Sequence, residues 1–590
     1  MCGISGMMAI GRQAPPLRQV AAMGAALAHR GPDGMREYHN GNVAMTHNRL
    51  AIIDLATGVQ PIFEPEGAAL IANGEIYNYL ELRAALPGTR FTTQSDCEPP
   101  LILYRRDGLA FNETLRGMWA MAIHDPREGR VMLSRDPFGI KPLYYTERSD
   151  GVAFASEPQA LLAGEFAARE IDPTALGELL ELQFTTRRET IFKGIQRVLP
   201  GETIVISGGR IVDRRRREAL PQGAPTEQTE AGALAALEAA ITESVRVHQR
   251  SDVPYGMFLS GGIDSSVVLA LMAQLNERPV RSFTAFFPDA ETHDERAAAR
   301  AVAQACGAEL EEVAVSSDDF FATLPAIAAA MDDPAADYAI IPTWHLARAA
   351  RKAGLKVVLS GEGGDELFGG YGRYRAVMRP WWLGGRAMRR RGNLETLELL
   401  REPSRGWRDG LEAADVAARA GGRSRLQAAQ ALDCADWLPN DLLTKLDRCL
   451  MAHGVEGRTP FLDPEVAAAV FRLPDSLKVR DGLGKWVLRR WLASKLPAAE
   501  PFTRKRGFTV PVAQWILGDG ARLGPLVARQ PGIVALMRPG AVERLFTRGG
   551  KRQGFAAWTL LYYALWHRRH ILGLAADGGI LDCLDSTPTG

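Results

Sequence analysis

Apolar residues along this chain recur at two kinds of spacing. Between 229 and 249, Leu234, Leu237, Ile241 and Val245 stand three and four positions apart, which predicts an amphipathic helix. Ala68 to Ala72 and Val253 to Leu259 are continuous apolar runs, and each reads as a buried strand. Leu355 to Leu359 reads as a further strand, of a parallel sheet. These runs end in polar, glycine-containing segments: Asn73-Gly74-Glu75, the loop Ser260-Gly261-Gly262-Ile263-Asp264-Ser265-Ser266, and Ser360-Gly361-Glu362-Gly363-Gly364-Asp365. Val267 to Leu275 continues the second as a helix. Asn48-Arg49-Leu50-Ala51-Ile52-Ile53-Asp54 is another apolar run, expected to project Arg49 from the start of a strand. A last strand of the first half runs through Ile204 to Ile206. Ser207-Gly208-Gly209 then opens an Arg-rich, Pro-containing connector. The expected division is a domain over 1–208, a linker over 209–228 and a domain over 229–590. Within the last, an α/β core over 229–379 precedes a mainly helical part over 380–575 and a frayed tail over 577–590. The Arg-rich stretch from Arg379 to Arg425 has periodic Leu and Ala and reads as helices with solvated Arg faces. No internal repeat appears.

Strand, glycine loop and helix in that order form a phosphate cradle, because a helix N-terminus presents unpaired N–H groups and glycine allows close approach. The loop lacks the GxxxxGK[ST] pattern of the Walker type. Asp264 would repel phosphates unless a divalent cation lay between, and hard carboxylate oxygens suit Mg²⁺; helix capping is the alternative. Asp365 ends a second strand, and in open α/β sheets ligands bind beyond the carboxyl ends of the strands. At the other end of the chain, removal of Met1 would leave the Cys2 thiol beside a free α-amine. Their ordinary pKa values, roughly 8.5 and about 7.7 to 8.0, make proton exchange inexpensive. The pair supplies nucleophile and base together. An Asn amide and a Gly N–H at 73 and 74 can form an oxyanion hole. Arg49 can grip a carboxylate bidentately, and Asp96 can hold an ammonium.

The chain has 590 residues, 46% of them hydrophobic, which fits about two to four soluble domains. Lys plus Arg total 70 against 69 for Asp plus Glu, so no nucleic-acid partner is expected. There is neither a basic segment leading an apolar stretch at the N-terminus nor an apolar run of about eighteen residues. A cytoplasmic enzyme without a membrane partner is expected. The six cysteines form no CxxC pair, which argues against a disulfide framework or a structural zinc.

The N-terminal motifs include His29-Arg30-Gly31-Pro32-Asp33, Arg49 to Asp54, Asn73-Gly74-Glu75, Ser95-Asp96, Leu115 to Ala120 and Ser134 to Tyr145. Together they resemble the class II (Ntn-type) glutamine amidotransferase domain. That resemblance implies attack by Cys2 on the glutamine side-chain amide and an oxyanion held by Asn73 and Gly74. It also implies a glutamine site formed by Arg49, Ile53, Glu75 and Asp96. SGGIDSS and SGEGGDELFGGY, with Gly454 to Asp463, Gly484 to Arg489 and Arg504 to Phe508, resemble the ATP-pyrophosphatase (PP-loop) domain of the asparagine synthetases. It implies that Leu259, Ser260, Gly261, Gly262, Asp264, Ser265, Ser266, Ala285, Ser360 and Gly361 bind ATP. Asp264 and Asp365 would hold Mg²⁺, Glu362 would act near the acceptor, and Lys505 and Lys485 would stabilise charge. The fold implied is an Ntn-type αββα sandwich followed by a parallel-sheet α/β domain with a largely helical C-terminal part. Cys97 departs from the family's commoner Thr, and Gly457 and Thr459 alter its GVEARVPFLD motif. The activity implied is amidation of aspartate with glutamine and ATP, the alternative acceptor being a peptide or another biosynthetic carboxylate. A tRNA-modifying relative would carry a basic face or paired cysteines. Assembly is left open between monomer and homodimer.

Overall fold

The computed structural model describes residues 2–289, 294–380, 382, 388–503 and 509–586. Twelve strands build its first half: β1 (Gly3–Ala9), β2 (Met35–Asn40), β3 (Val43–Asn48), β4 (Ile62–Phe63), β5 (Ala69–Ile76), β6 (Gly117–Asp125), β7 (Arg130–Arg135), β8 (Tyr144–Arg148), β9 (Gly151–Ala155), β10 (Gln196–Arg197), β11 (Glu202–Ser207) and β12 (Arg210–Arg216). They form two antiparallel six-stranded sheets, ordered β10-β8-β9-β1-β3-β2 and β12-β11-β7-β6-β5-β4. Alternate residues of facing strands meet in one core: Ile4 and Met8, Val43 and Met45, Ala69 and Ile71, Ala120 and Ala122. The other faces are covered as well. Leu70, Ala72, Trp119 and Met121 pack against Leu101 of the helix Glu98–Asp107. Met7 and Ala44 pack with Met23 of the helix Leu17–Ala26. β5 is therefore apolar on both sides, which explains the unbroken run from Ala68 to Ala72.

Two elements of this half differ from the sequence reading. Residues 210–216, assigned to the linker, pair with β11 as the edge strand β12. Gly208 and Gly209, at φ of 56° and 79°, make a two-residue hairpin turn between Ser207 and Arg210. The arginines that resembled a connector are the charged side chains of an exposed sheet edge. Leu50 to Ile53 form no strand: they are a loop after β3, and Leu50 and Ile52 are buried with Tyr77, Phe138, Val245 and Met257. Burial without strand pairing produced the apolar run.

The second half contains β13 (Tyr255–Phe258), β14 (Arg281–Phe286), β15 (Glu309–Ala314), β16 (Val357–Leu359) and β17 (Glu456–Arg458), all parallel and ordered β15-β14-β13-β16-β17. The chain moves outward from β13 to β15 and then returns to β13's other side as β16. The carboxyl ends of β13 and β16 thus flank the point where strand order reverses. The helix Glu230–His248 is capped by the Thr229 hydroxyl, which accepts from the Gly232 N–H, and it buries Leu237, Ile241 and Val245. The helix after β13 begins at Ile263, so Asp264 lies in its first turn. Between 388 and 424 the only helix among the described residues is Asp409–Ala418, so the helices expected over Arg379 to Arg425 are present only in part and the rest is mainly turns and bends. The tail is not frayed over Ile580–Asp585, a helix that buries Ile580, Cys583 and Leu584.

Buried and part-buried ion pairs join the halves. Arg30 reaches Asp447 at 2.8 and 3.0 Å, Arg197 reaches Asp333 at 2.7 and 2.9 Å, and Arg116 reaches Asp463 at 2.7 Å. No helix among the described residues is long and apolar enough to cross a membrane.

Candidate active sites

Cys2 is buried just ahead of β1, and its backbone N–H donates to Asn73 Oδ1 at 3.1 Å. Met1 lies outside the described residues; with Met1 attached, this nitrogen is a peptide N–H occupying the place of the free α-amine. The Asn73 amide is oriented by that bond, and its Nδ2 is buried with no hydrogen-bond partner among the described residues. An unpaired donor beside a thiol can receive an oxyanion. At position 74 only glycine fits, since a Cβ would lie 2.3 Å from the Met118 carbonyl oxygen and 2.7 Å from Trp119 Cα on β6. Burial raises the Cys2 thiol above its ordinary pKa, so a proton acceptor close to Sγ matters more here than at an exposed cysteine.

Arg49 leaves the end of β3 with its guanidinium on the carbonyls of Asp54 and Leu55, at 2.5 and 3.3 Å. This bends the 49–55 loop past the nucleophile: the Leu50 carbonyl is 4.0 Å from Cys2 Sγ, and half-buried Ile53 lies on the same loop. Asp96 accepts from the Ile76 N–H at 2.7 Å, and burial pushes its pKa up to about 6. Burial, then the neighbouring carboxylates Glu456 and Asp96, raises Glu75 as well. Sequence reasoning assigned no role to Arg30, although it quoted the motif. Its Nε donates to the Cys2 carbonyl at 3.1 Å while its other nitrogens hold Asp447 and Glu157. It also missed Arg458, whose Nη2 lies 3.4 Å from Glu75 Oε2 across the domain boundary.

A cavity of about 590 Å³ opens at the carboxyl ends of β13, β14 and β16. Leu259, Ser260, Gly262, Asp264, Ser265, Ala285, Ser360, Gly361, Glu362 and Asp365 all line it. Gly261 and Ser266 do not. Gly261 turns the loop at φ 67°, where a Cβ would meet Ala299 N at 2.8 Å, and the Ser266 hydroxyl is buried behind the helix's first turn. The Ser260 hydroxyl accepts from the Gly262 N–H at 3.3 Å and lies 3.1 Å from Ser265 Oγ, which ties the loop to the helix. Asp264 does not cap that helix: its N-cap, Gly262, has no side-chain cap. Asp264 instead contacts Lys485 Nζ, which also lies 2.7 Å from Asp365 Oδ1. Lys485 is buried just before the helix Trp486–Lys495, and both carboxylates hold its pKa above the ordinary lysine value against the opposing effect of burial.

The glycine-rich motif makes room for this cluster. A Cβ at Gly364 would lie 2.4 Å from Asp264 Oδ1, and one at Gly370 would lie 1.8 Å from Asp365 Oδ1. Two carboxylates converging on one cationic position are a hard-oxygen donor set that suits Mg²⁺, which takes the rest of its shell from water and phosphate. Among the described residues no group of three or more His, Cys, Asp or Glu side chains could hold a metal alone. Glu362 is pushed up by burial and pulled down by Lys445, a lining residue that sequence reasoning missed. Lys505 lies outside the described residues.

Comparison with known proteins divides the chain at the same place as its sheets. A family model described as asparagine synthase matches residues 236–568, and one described as glutamine amidotransferase domain matches residues 1–216, through the end of β12. A putative asparagine synthetase [glutamine-hydrolyzing] of Mycobacterium tuberculosis is 35% identical over 93% of both chains. Asparagine synthetase [glutamine-hydrolyzing] 1 of Bacillus subtilis is 32% identical over 97% of both. Asparagine synthetase B [glutamine-hydrolyzing] of Escherichia coli is 28% identical over 88% of this chain and 83% of its own. With both family models matched in order, and with relatives aligned over nearly their whole length, the chain belongs to the glutamine-hydrolysing asparagine synthetase family.

Proposed function

We propose that this protein makes asparagine from aspartate, glutamine and ATP in the cytoplasm, using the two sites in series. At the first site the Cys2 thiol attacks the side-chain carbonyl of glutamine and passes its proton to the α-amine freed by loss of Met1. Asn73 Nδ2 and the Gly74 N–H stabilise the oxyanion, and Arg49 takes the substrate's α-carboxylate. Glu75 and Asp96 take its α-ammonium. Ammonia leaves, and water releases glutamate from the thioester.

At the second site the side-chain carboxylate of aspartate attacks the α-phosphate of ATP. A bond to phosphorus forms as the bond to pyrophosphate breaks, giving β-aspartyl-AMP. Mg²⁺, when bound, supplies positive charge for the departing pyrophosphate. Asp264 and Asp365 would hold it, Lys485 would balance their charge, and Lys505 would stabilise charge at the α-phosphate. Ser260, Gly262 and the helix N-terminus at Ile263 would cradle the phosphates. Ammonia then attacks the acyl carbonyl and AMP leaves.

The observation that carries this reading is the pairing in one chain of Cys2 and an unsatisfied Asn73 amide with the Asp264–Lys485–Asp365 cluster. The test is a screen of carboxylate acceptors for glutamine-dependent AMP and pyrophosphate formation. Aspartate should stand out. Preference for a dipeptide or another acid would overturn the acceptor assignment.

A further inference from the structure

Beyond the phosphate-binding loop, one end of the synthetase cavity is lined by Ala339, Pro342, Thr343, Leu346, Glu362 and Lys445. Lys445 is buried on the helix Leu443–Met451, and one of its three N–H donors goes to Asp337 Oδ2 at 2.9 Å. Glu362, on the loop after β16, lines the same cavity. Three cations line this cavity among the described residues: Arg375, Lys445 and Arg489. Arg489 spends its Nε and Nη1 on the main-chain carbonyls of Gly484, Pro501 and Thr503, and Arg375 donates to the Gly482 carbonyl. Of the three, Lys445 is the buried cation held by a side chain and not by main-chain carbonyls. Asp337 and Glu362 surround this one cation with two acidic side chains. A free amino acid brings the complement, a carboxylate for the buried ammonium and an ammonium for the half-buried Glu362, and such a cluster is best matched by a ligand that completes both.

We propose that Lys445, held by Asp337, binds the α-carboxylate of the acceptor, with Glu362 facing its α-ammonium, so that this end of the cavity selects a free α-amino acid. The assignment rests on the proposed synthesis of asparagine and goes further, because it names the groups that read the part of aspartate that does not react. The reacting side-chain carboxylate then points toward the nucleotide end, where Ser260, Ser360 and Gly361 lie. The Asp337 contact makes Lys445 a preformed anchor, since its long side chain is already ordered before the acceptor arrives.

The test removes the charge from the enzyme and, separately, the α-carboxylate from the substrate. Wild type, Lys445→Gln and Lys445→Arg are compared in AMP formation at saturating ATP and ammonia, with aspartate and with β-alanine, which is aspartate lacking that group. Losing a charge-assisted hydrogen bond should lower kcat/KM for aspartate about tenfold to a hundredfold, mainly through KM. The value for β-alanine should move less than about twofold, so that the preference for aspartate collapses, and Lys445→Arg should restore part of it. The KM for ATP and the release of glutamate from glutamine should stay unchanged. Equal losses on both acceptors, or a fall in kcat at constant aspartate KM, would overturn the Lys445 assignment alone. A wild-type enzyme that does not amidate aspartate would overturn the functional reading, and this assignment with it.

Discussion

The two sites solve the problem of buried polarity in opposite ways. At Cys2 a neutral donor, Asn73 Nδ2, stands buried without a partner among the described residues. At the nucleotide cavity the two carboxylates Asp264 and Asp365 are compensated instead, because Lys485 lies between them. An unsatisfied amide costs about 1–3 kcal/mol, which a folded protein can bear to keep an oxyanion donor in position. A pair of uncompensated buried carboxylates would cost several kcal/mol per ion. A site for a transient oxyanion is therefore preorganised with its donor unpaired, whereas a site for a polyanion and its metal carries its own counter-ion.

The comparison breaks first at the nucleophile. Cys2→Ala should lower glutamine-driven asparagine formation by four orders of magnitude or more, on the order seen when a nucleophile is removed. Ammonia-driven formation should stay within about twofold, with both nitrogen sources assayed side by side. Equal loss with both sources would mean the sites are not separable. Next comes the join between them. Asp333→Ala leaves the Arg197 guanidinium buried without its carboxylate, and breaking a pair of this kind costs about 3–5 kcal/mol. Denaturant unfolding should show that loss, and a change below about 1 kcal/mol would contradict a buried pair, since that is the range of exposed ones.

Asn73→Ala sharpens the contrast. Losing one oxyanion donor should cut glutaminase kcat about 10²–10³-fold with little change in KM. A change confined to KM would make Asn73 a ground-state binder.

The smallest effect is a pH dependence. Asp96, raised to about 6 by burial, must be ionised to hold an α-ammonium. Its contribution is present above that pH and is lost as pH falls through it. kcat/KM for glutamine, which reports the free enzyme, should drop roughly tenfold per unit below about pH 6. Asp96→Asn should abolish that limb, and a profile flat to pH 5 would remove Asp96 from the ammonium site.

Much of this was legible in the sequence because local pattern and chemistry agree. The run Ala68–Ala72 is apolar because β5 is covered on both faces, and it delivers Asn73 and Gly74 at its polar end. Strand, glycine loop and helix around Asp264 follow from neighbouring residues alone. What escaped depends on distant partners. Leu50 to Ile53 are apolar because the second half packs on them, not because they pair as a strand. Arg30 and Asp447 are 417 positions apart, and nothing local in either marks the other. Lys445 sits in a helix whose spacing gives no sign of which face meets a cavity. The hairpin of Gly208 and Gly209 did carry a local signal, a pair of residues suited to positive φ between two strands, but the arginines after it resembled a connector.

The account rests on nitrogen released at Cys2 being consumed at the cavity beside Asp264 and Asp365. The direct measurement supplies glutamine labelled with ¹⁵N in its side-chain amide together with an equal concentration of unlabelled ammonia, and with aspartate and ATP, and reads the isotope in the amide of the asparagine formed. The account predicts labelled asparagine from the wild type and only unlabelled asparagine from Cys2→Ala. Labelled asparagine from Cys2→Ala, or wild-type asparagine without label while glutamate accumulates, would contradict it.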